Sequence, residues 1–440
     1  MTSKEKLLKK ITEKYLAREQ FSGYAPDNAE FFHDKEIIRE LVIERKIDIC
    51  NGEKFPNIFI KAYNIESVEK QILWLDSQVQ KEEVAQEEVI SFTNEIDVKF
   101  VVTVPLCCLY PTNTYLKETV SNRKFANKPF TRMLALGMPQ LYPLYFSPEA
   151  LYGYVDNPKY KVEMNNICGT FYSKDNSGSF NDVFIQQLGF GINRDLDNFE
   201  RSIALFPCDL SILDSFNQKY WHNYLLPNQK DFFLHPEYSR IVRGYFPENV
   251  SIFDAFLKEL ELINQMSIKI YGVNLFKNDY TEKKPSKFMY MLIPSKKEFN
   301  SFARTLSNMM GDNMDLNFFK KLGLETQLLG LTIEGTPIDK SKPTITLLNE
   351  WLKRDIKFTD PEPKEIMIKT FRLVQDLRSK DGAHKEVEND YDKKYISEQR
   401  DLMVKAYTAV RTLRLILMNN TMCKSVEVPA WIKVGKISRY

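Results

Sequence analysis

The sequence predicts an α+β protein: a helical N-terminal part with a small hairpin, a β-rich middle, a helical scaffold and a C-terminal helical hairpin. Three observations carry that expectation. The chain has 440 residues, about three times the usual single-domain length, so several cores are expected. Apolar residues recur at helical spacing near both ends, and short β-branched and aromatic runs separated by Pro, Gly and Asn fill the region between. Aromatic side chains are abundant, with 30 Phe and 22 Tyr against only 16 Gly, so bulky groups are available to fill those cores.

Residues 1–95 read as helices around a hairpin built from Ile47-Asp48-Ile49-Cys50, an Asn51-Gly52 turn and Ile58-Phe59-Ile60. No basic recognition helix accompanies it, which favours a helical cap over a winged-helix DNA reader. The acidic stretch from Lys81 to Glu88 reads as an exposed helix or linker. Residues 96–210 form the β-rich part, with strands expected at Phe100–Val104, Leu151–Val155 and Val183–Leu188. Asp175 to Ser179 reads as a turn, and Asp195, Asp197 and Glu200 as a solvated acidic loop without calcium-loop spacing.

From 211 to 360 the helical period returns. Ser251-x-x-Asp254 and Ser295-x-x-Glu298 have the pattern of capping boxes, opening helices whose Phe256, Leu260 and Ile263, and Phe299, Phe302 and Leu306, face a core. A strand is expected at Phe288–Ile293, and a proline-rich linker with one helix around Leu347–Leu352 follows. In 361–440, Met367, Phe371 and Val374 outline one helix and Leu402, Ala406, Ala409 and Leu413 a second, expected to pair antiparallel.

Charge and motif content narrow the function classes. Lys and Arg exceed Asp and Glu by 61 to 59, a net of +2, which is neither a polycation nor a disordered acidic chain. Residues 361–440 carry 16 basic against 11 acidic side chains, a local +5 that favours an anionic partner. Six cysteines without C-x-x-C spacing point to a reducing cytoplasm, and no apolar run is long enough to span a membrane. The chain contains four histidines, none spaced H-x-x-x-H, so neither a metal centre nor a cofactor is expected. A phosphate-binding loop of the G-x-x-x-x-G-K-[ST] type and a nucleophile elbow are both missing, and Gly189-Phe190-Gly191 is an isolated G-x-G.

Arg378 and His384 are the candidate chemistry. A guanidinium offers a planar fork of donors matching a phosphate, and an imidazole titrates near neutrality, so it can take a proton from a ribose hydroxyl that attacks phosphorus, without a metal. Six residues of unbroken helix would advance about 9 Å and rotate about 600°, putting the two on different faces, so a break at Gly382 is needed to bring them together. Lys385, Arg411 and Arg414 are candidate phosphate contacts. Structural roles are the alternative: Arg378 could pair with Asp376 or Asp381 and His384 could cap a helix, while His222 and His235 are read as packing or turn residues.

An arginine followed after five residues by a histidine, ending Gly382-Ala383-His384 between two long amphipathic helices, resembles the HEPN superfamily of prokaryotic ribonucleases and nucleotide-binding helical domains. The similarity covers about the last 80 residues, and Ser379 stands where that family usually has Asn, Asp or His. The resemblance implies a site completed across a two-fold homodimer through the C-terminal helices. It implies a metal-independent endoribonuclease acting on RNA, of the toxin or phage-defence (antiviral) kind, with the upstream residues sensing a trigger or restraining the site. The alternative is a non-catalytic sensor or adaptor of a defence complex, meeting a partner protein and using the C-terminal helices to dimerise or bind nucleotide.

Overall fold

A computed structural model describes the chain except residues 18–20, 55–57, 62–64, 80–86, 92–96, 102–104, 122–124, 156, 165, 175–183, 196–198, 244, 332–336, 382–390 and 440. The fold is α+β, with helices and mainly antiparallel sheets. The chain divides into two compact units whose bounds cut across the four segments expected from sequence, the expected 211–360 scaffold being split between them. Unit one comprises Met1–Glu163, Cys168–Gly191 and Ser202–Phe246, and unit two Met164–Ile167, Ile192–Arg201 and Pro247–Tyr440.

Unit one begins with α1 (Ser3–Ala17), α2 (Asn28–His33) and α3 (Lys35–Ile43), followed by β1 (Ile47–Asn51) and α4 (Val68–Ser77). The expected Asn51-Gly52 hairpin does not form. β1 instead pairs antiparallel with β4 (Cys107–Pro111), Ile47 opposite Pro111 and Cys50 opposite Cys108. Ile58 lies in a turn, 3% exposed, where its carbonyl accepts the Tyr110 hydroxyl at 3.1 Å. The reason is burial on both faces of the ribbon. Ile47, Ile49, Cys107 and Leu109 enter one core with Leu7, Ile11, Phe31 and Leu41, while Cys50, Cys108 and Tyr110 enter another with Tyr15 and Phe21.

Between these strands, β2 (Glu87–Ser91) pairs antiparallel with β3 (Asp97–Val101). Glu87 and Glu88 are therefore strand residues rather than part of an acidic helix, and the rest of that stretch from 81 lies outside the described residues, as does the expected boundary at 95. Helices α5 (Asn113–Thr119) and α6 (Pro129–Ala135) precede the sheet built from β5 (Leu144–Phe146), β6 (Tyr160–Met164), β7 (Cys168–Ser173), β8 (Phe184–Asn193) and β9 (Arg201–Leu205), in the order β5-β9-β8-β7-β6. After α7 (Pro207–Ser211) and α8 (Ser215–Asn223), β10 (Phe232–Leu234) pairs with β8 and leads into α9 (Pro236–Val242).

The strand expected at Leu151–Val155 is absent: Pro148–Leu151 is a short 3₁₀ turn, and Tyr154 is buried against the Trp221 ring, centroids 5.9 Å apart. The expected strand at Val183–Leu188 is β8, and its G-x-G has a packing cause. A Cβ on Gly189 would stand 2.1 Å from the Tyr238 ring, and one on Gly191 2.3 Å from that of Tyr145, so the glycines let aromatic rings lie flat on the strand. The turn read at 175–179 and Asp197 lie outside the described residues. Glu200 pairs with Lys393 at 3.2 Å.

Unit two is led by β11 (Val250–Ser251) and α10 (Ile252–Tyr271). Ser251 Oγ accepts the Asp254 N–H at 3.2 Å and donates to the Asp254 carboxylate at 2.6 Å, and Gly272, at φ +68, ends the helix. Ser295 caps α11 (Lys296–Ser307) in the same way through the Glu298 N–H. Then come α12 (Leu316–Lys321), the antiparallel hairpin β12 (Gln327–Leu331) and β13 (Pro337–Ser341), and α13 (Thr344–Asp355). The region read as a proline-rich linker thus holds a hairpin and a twelve-residue helix. The chain ends with α14 (Glu362–Asp381), α15 (Lys394–Met418), α16 (Ala430–Val434) and β14 (Ile437–Ser438), which pairs with β11.

Phe288–Ile293 is buried without being a strand. Gln399 of α15 supplies what a neighbouring strand would: its Oε1 accepts the Met291 N–H at 3.0 Å and its Nε2 donates to the Met289 carbonyl at 2.9 Å. Arg201 donates to the Met291 carbonyl at 2.6 Å while its guanidinium lies over the Tyr290 ring at 4.5 Å. Burial lowers the pKa of that guanidinium to about 10.

Candidate functional site

The candidate site hangs on α14 and α15. Asp360 accepts the Glu362 N–H at 3.0 Å at the start of α14, and Glu362 and Glu365 place negative charge in its first turn. Met367, Phe371 and Val374 are at most 1% exposed, a stripe that packs α14 against α11 and α15. Arg378 follows one turn later on the same face, four residues after Val374 and seven after Phe371, where that face is no longer fully buried. Its side chain is 39% exposed, and its Nη1 donates to the carboxylate of Asp312, itself 52% exposed, in the π-helical turn Asn308–Asp312 that follows α11. The partner of Arg378 is thus Asp312, a residue that no local spacing singles out.

His384 and Lys385 lie outside the described residues, so the structure places one member of the Arg/His pair. α14 ends at Asp381, one residue before Gly382. Arg411 and Arg414 are both on α15, and the surroundings of Arg414 differ from those of a phosphate contact. Arg414 is 3% exposed and pairs with Glu259 of α10, which is fully buried. The reading of Arg414 as a phosphate ligand is corrected on this point: its charge is spent inside the helical core. The Tyr407 hydroxyl lies 3.5 Å from the same carboxylate. Burial pushes the Glu259 carboxyl above its usual range, with Arg414 the largest opposing influence. Arg411 is half-buried on the same helix, its Nε without a hydrogen-bond partner among the described residues.

Glu259 is the residue that sequence reasoning missed. The available signal was a carboxylate set among Phe256, Leu260 and Ile263 on the apolar face of α10, which requires a buried cation opposite it. His222 packs its ring 6.0 Å from that of Phe130, and His235, 1% exposed, occupies the N-cap position of α9, so neither stands near the α14–α15 pair in sequence or element. Among the described residues no three His, Cys, Asp or Glu side chains gather as a metal site, and no described helix is long and apolar enough to cross a membrane. Comparison with protein-family models, curated proteins and solved structures returned no match.

Proposed function

We propose that the chain is a metal-independent endoribonuclease of the prokaryotic toxin or phage-defence kind, acting in the cytoplasm as a homodimer, with Arg378 and His384 as its working pair. The observation that carries this reading is the position of Arg378. It stands in the last two turns of a long helix, partly open to solvent and held by an exposed carboxylate that a phosphate could replace. In this mechanism the Arg378 guanidinium holds the scissile phosphate and opposes the charge gained in the transition state. His384 takes the proton from the ribose 2′-hydroxyl, whose oxygen attacks phosphorus. The bond from phosphorus to the 5′-oxygen breaks, that oxygen takes a proton, and a 2′,3′-cyclic phosphate and a 5′-hydroxyl result.

The test is RNA cleavage in the presence of a chelator by wild type, Arg378→Ala and His384→Ala. The expected result is cleavage by wild type and a loss of at least about 100-fold in each variant with unchanged melting temperature. Equal activity in all three, or cleavage abolished by the chelator, removes the proposal. One observation favours the second reading, a non-catalytic sensor or adaptor whose C-terminal helices dimerise or bind nucleotide: Arg414 is locked to Glu259, and Arg378 already holds a carboxylate. That reading expects dimers in solution and no cleavage from any of the three proteins.

A further inference from the structure

Arg378 and Asp312 meet on a surface of unit two that a third segment completes. Past the Gly272 end of α10, the chain runs back along the residues that follow the π-helical turn. Leu275, Phe276 and Met314 are fully buried and anchor this return. Phe276 bridges Met314, the Lys277 N–H reaches the Asn313 carbonyl at 2.8 Å, and the Asp315 N–H reaches the Leu275 carbonyl at 2.8 Å. The Asn313 side chain, in a residue 3% exposed, closes the ladder: its Oδ1 accepts the Asn278 N–H at 3.0 Å and its Nδ2 donates to the Asn278 carbonyl at 2.7 Å. Residues 275–278 are therefore fixed against the turn that carries Asp312.

That mount brings a second cation to Asp312. Lys277 Nζ donates to the Asp312 carbonyl at 2.8 Å, while Arg378 Nη1 holds the carboxylate of the same residue. Lys277 is exposed, and among the described residues it pairs with no carboxylate. Asp279, the acid two residues further on, is occupied by the Thr281 N–H at 3.1 Å and the Thr281 hydroxyl at 2.7 Å. Tyr280 follows at φ +61, a conformation uncommon for a bulky side chain and kept only where the surrounding structure holds it. Its ring is half-buried and stacks on no other ring, and its hydroxyl makes no hydrogen bond among the described residues. Burial and the nearby Asp312 charge together raise the pKa of that hydroxyl.

We propose that a single RNA strand crosses this surface, with one phosphate on Arg378, the adjacent phosphate on Lys277 and a base against the Tyr280 ring. Resting on the nuclease reading, this gives the site a substrate class, unpaired RNA, and two further contacts. Two cations held by one residue suit successive phosphates of one strand. An aromatic ring beside them suits an unpaired base with an open face, whereas the bases of a duplex are already stacked and paired. Asp312 is then the internal anion that the first phosphate displaces from Arg378.

The test is fluorescence anisotropy on the full chain with a short 2′-O-methyl oligoribonucleotide, which lacks the attacking hydroxyl and so reports binding without cleavage, offered as a single strand and as a duplex. The single strand is expected to bind at least about tenfold more tightly than the duplex. Lys277→Gln is expected to weaken binding and to reduce the slope of log affinity against log salt by about 0.7, one phosphate contact on a single strand, with unchanged melting temperature. Tyr280→Ala is expected to weaken binding at least about fivefold, and Tyr280→Phe to retain it. No binding of the single strand, equal binding of the duplex, an unchanged salt slope in Lys277→Gln or an unchanged affinity in Tyr280→Ala overturns the proposal. Chelator-resistant cleavage of ordinary RNA is read in parallel. Cleavage by wild type with unaltered binding in the variants sinks this strand path alone, whereas the expected binding without cleavage by wild type removes the nuclease reading and keeps the contacts.

Discussion

The guanidinium of Arg414 on α15 is paired inside the protein with the carboxylate of Glu259 on α10, at 3% and 0% exposure. Two long helices are thereby registered by one ion pair. Removing one partner strands the other charge in the core, so Arg414→Met is expected to lower the unfolding free energy by about 3–5 kcal/mol, whereas Glu259→Leu with Arg414→Met recovers most of that loss. Urea denaturation of wild type and the two variants checks this. A double variant as unstable as the single one would mean that packing of the arginine stem, rather than the charge, holds the helices.

How far the sequence reveals this fold depends on the range of the interactions. Ser251 and Ser295 were legible as caps because a capping box is a contact across three residues, and the stripes on α10, α11, α14 and α15 follow from helical period alone. The partner of β1 was not legible: the turn signal at Asn51-Gly52 is local, while burial of both ribbon faces selects Cys107–Pro111, some sixty residues away. Phe288–Ile293 looked like a strand because it is apolar, and only the tertiary position of Gln399 shows that side chains satisfy its backbone. For the site, the α14–α15 scaffold was readable but the environment of its charges was not, since Asp312 and Glu259 arrive from other helices.

Asp312 restrains Arg378 at the surface. Both side chains are well exposed, so Asp312→Asn is expected to change stability by less than about 1 kcal/mol. If Arg378 serves phosphate, the same substitution releases it, and chelator-resistant RNA cleavage rises. Melting curves and an initial-rate assay on the same preparation read the two effects separately. Reduced cleavage in Asp312→Asn would assign Asp312 the role of holding Arg378 in its working position instead.

Gln399 is expected to be among the polar residues least tolerant of change. Gln399→Leu keeps the volume but leaves the Met291 N–H and the Met289 carbonyl buried without these partners, at a cost of about 2–4 kcal/mol for two groups. Gln399→Glu retains the acceptor and loses the donor, so an intermediate loss is expected. Hydrogen exchange at the Met291 amide provides a local readout: protection falls strongly in Gln399→Leu and is largely kept in Gln399→Glu.

Asp209, in the short helix α7, supplies a pH dependence whose sign can be worked out. Burial raises its carboxyl to about 7 from an ordinary 3.8, in the neighbourhood of Cys208 and Tyr238. Between those two values the folded protein holds a proton that the unfolded chain has released, so stability falls as pH rises from about 4 to 7 and the contribution is gone above 7. A displacement of this size corresponds to at most about 4 kcal/mol, and the partial exposure of Asp209 reduces the expected effect to about 2 kcal/mol. Asp209→Asn, which cannot ionise, should therefore match wild type near pH 4 and exceed it by about that amount at pH 8. Urea midpoints of the two proteins across this range give the difference directly, and parallel pH profiles would show that Asp209 is ionised in the fold throughout.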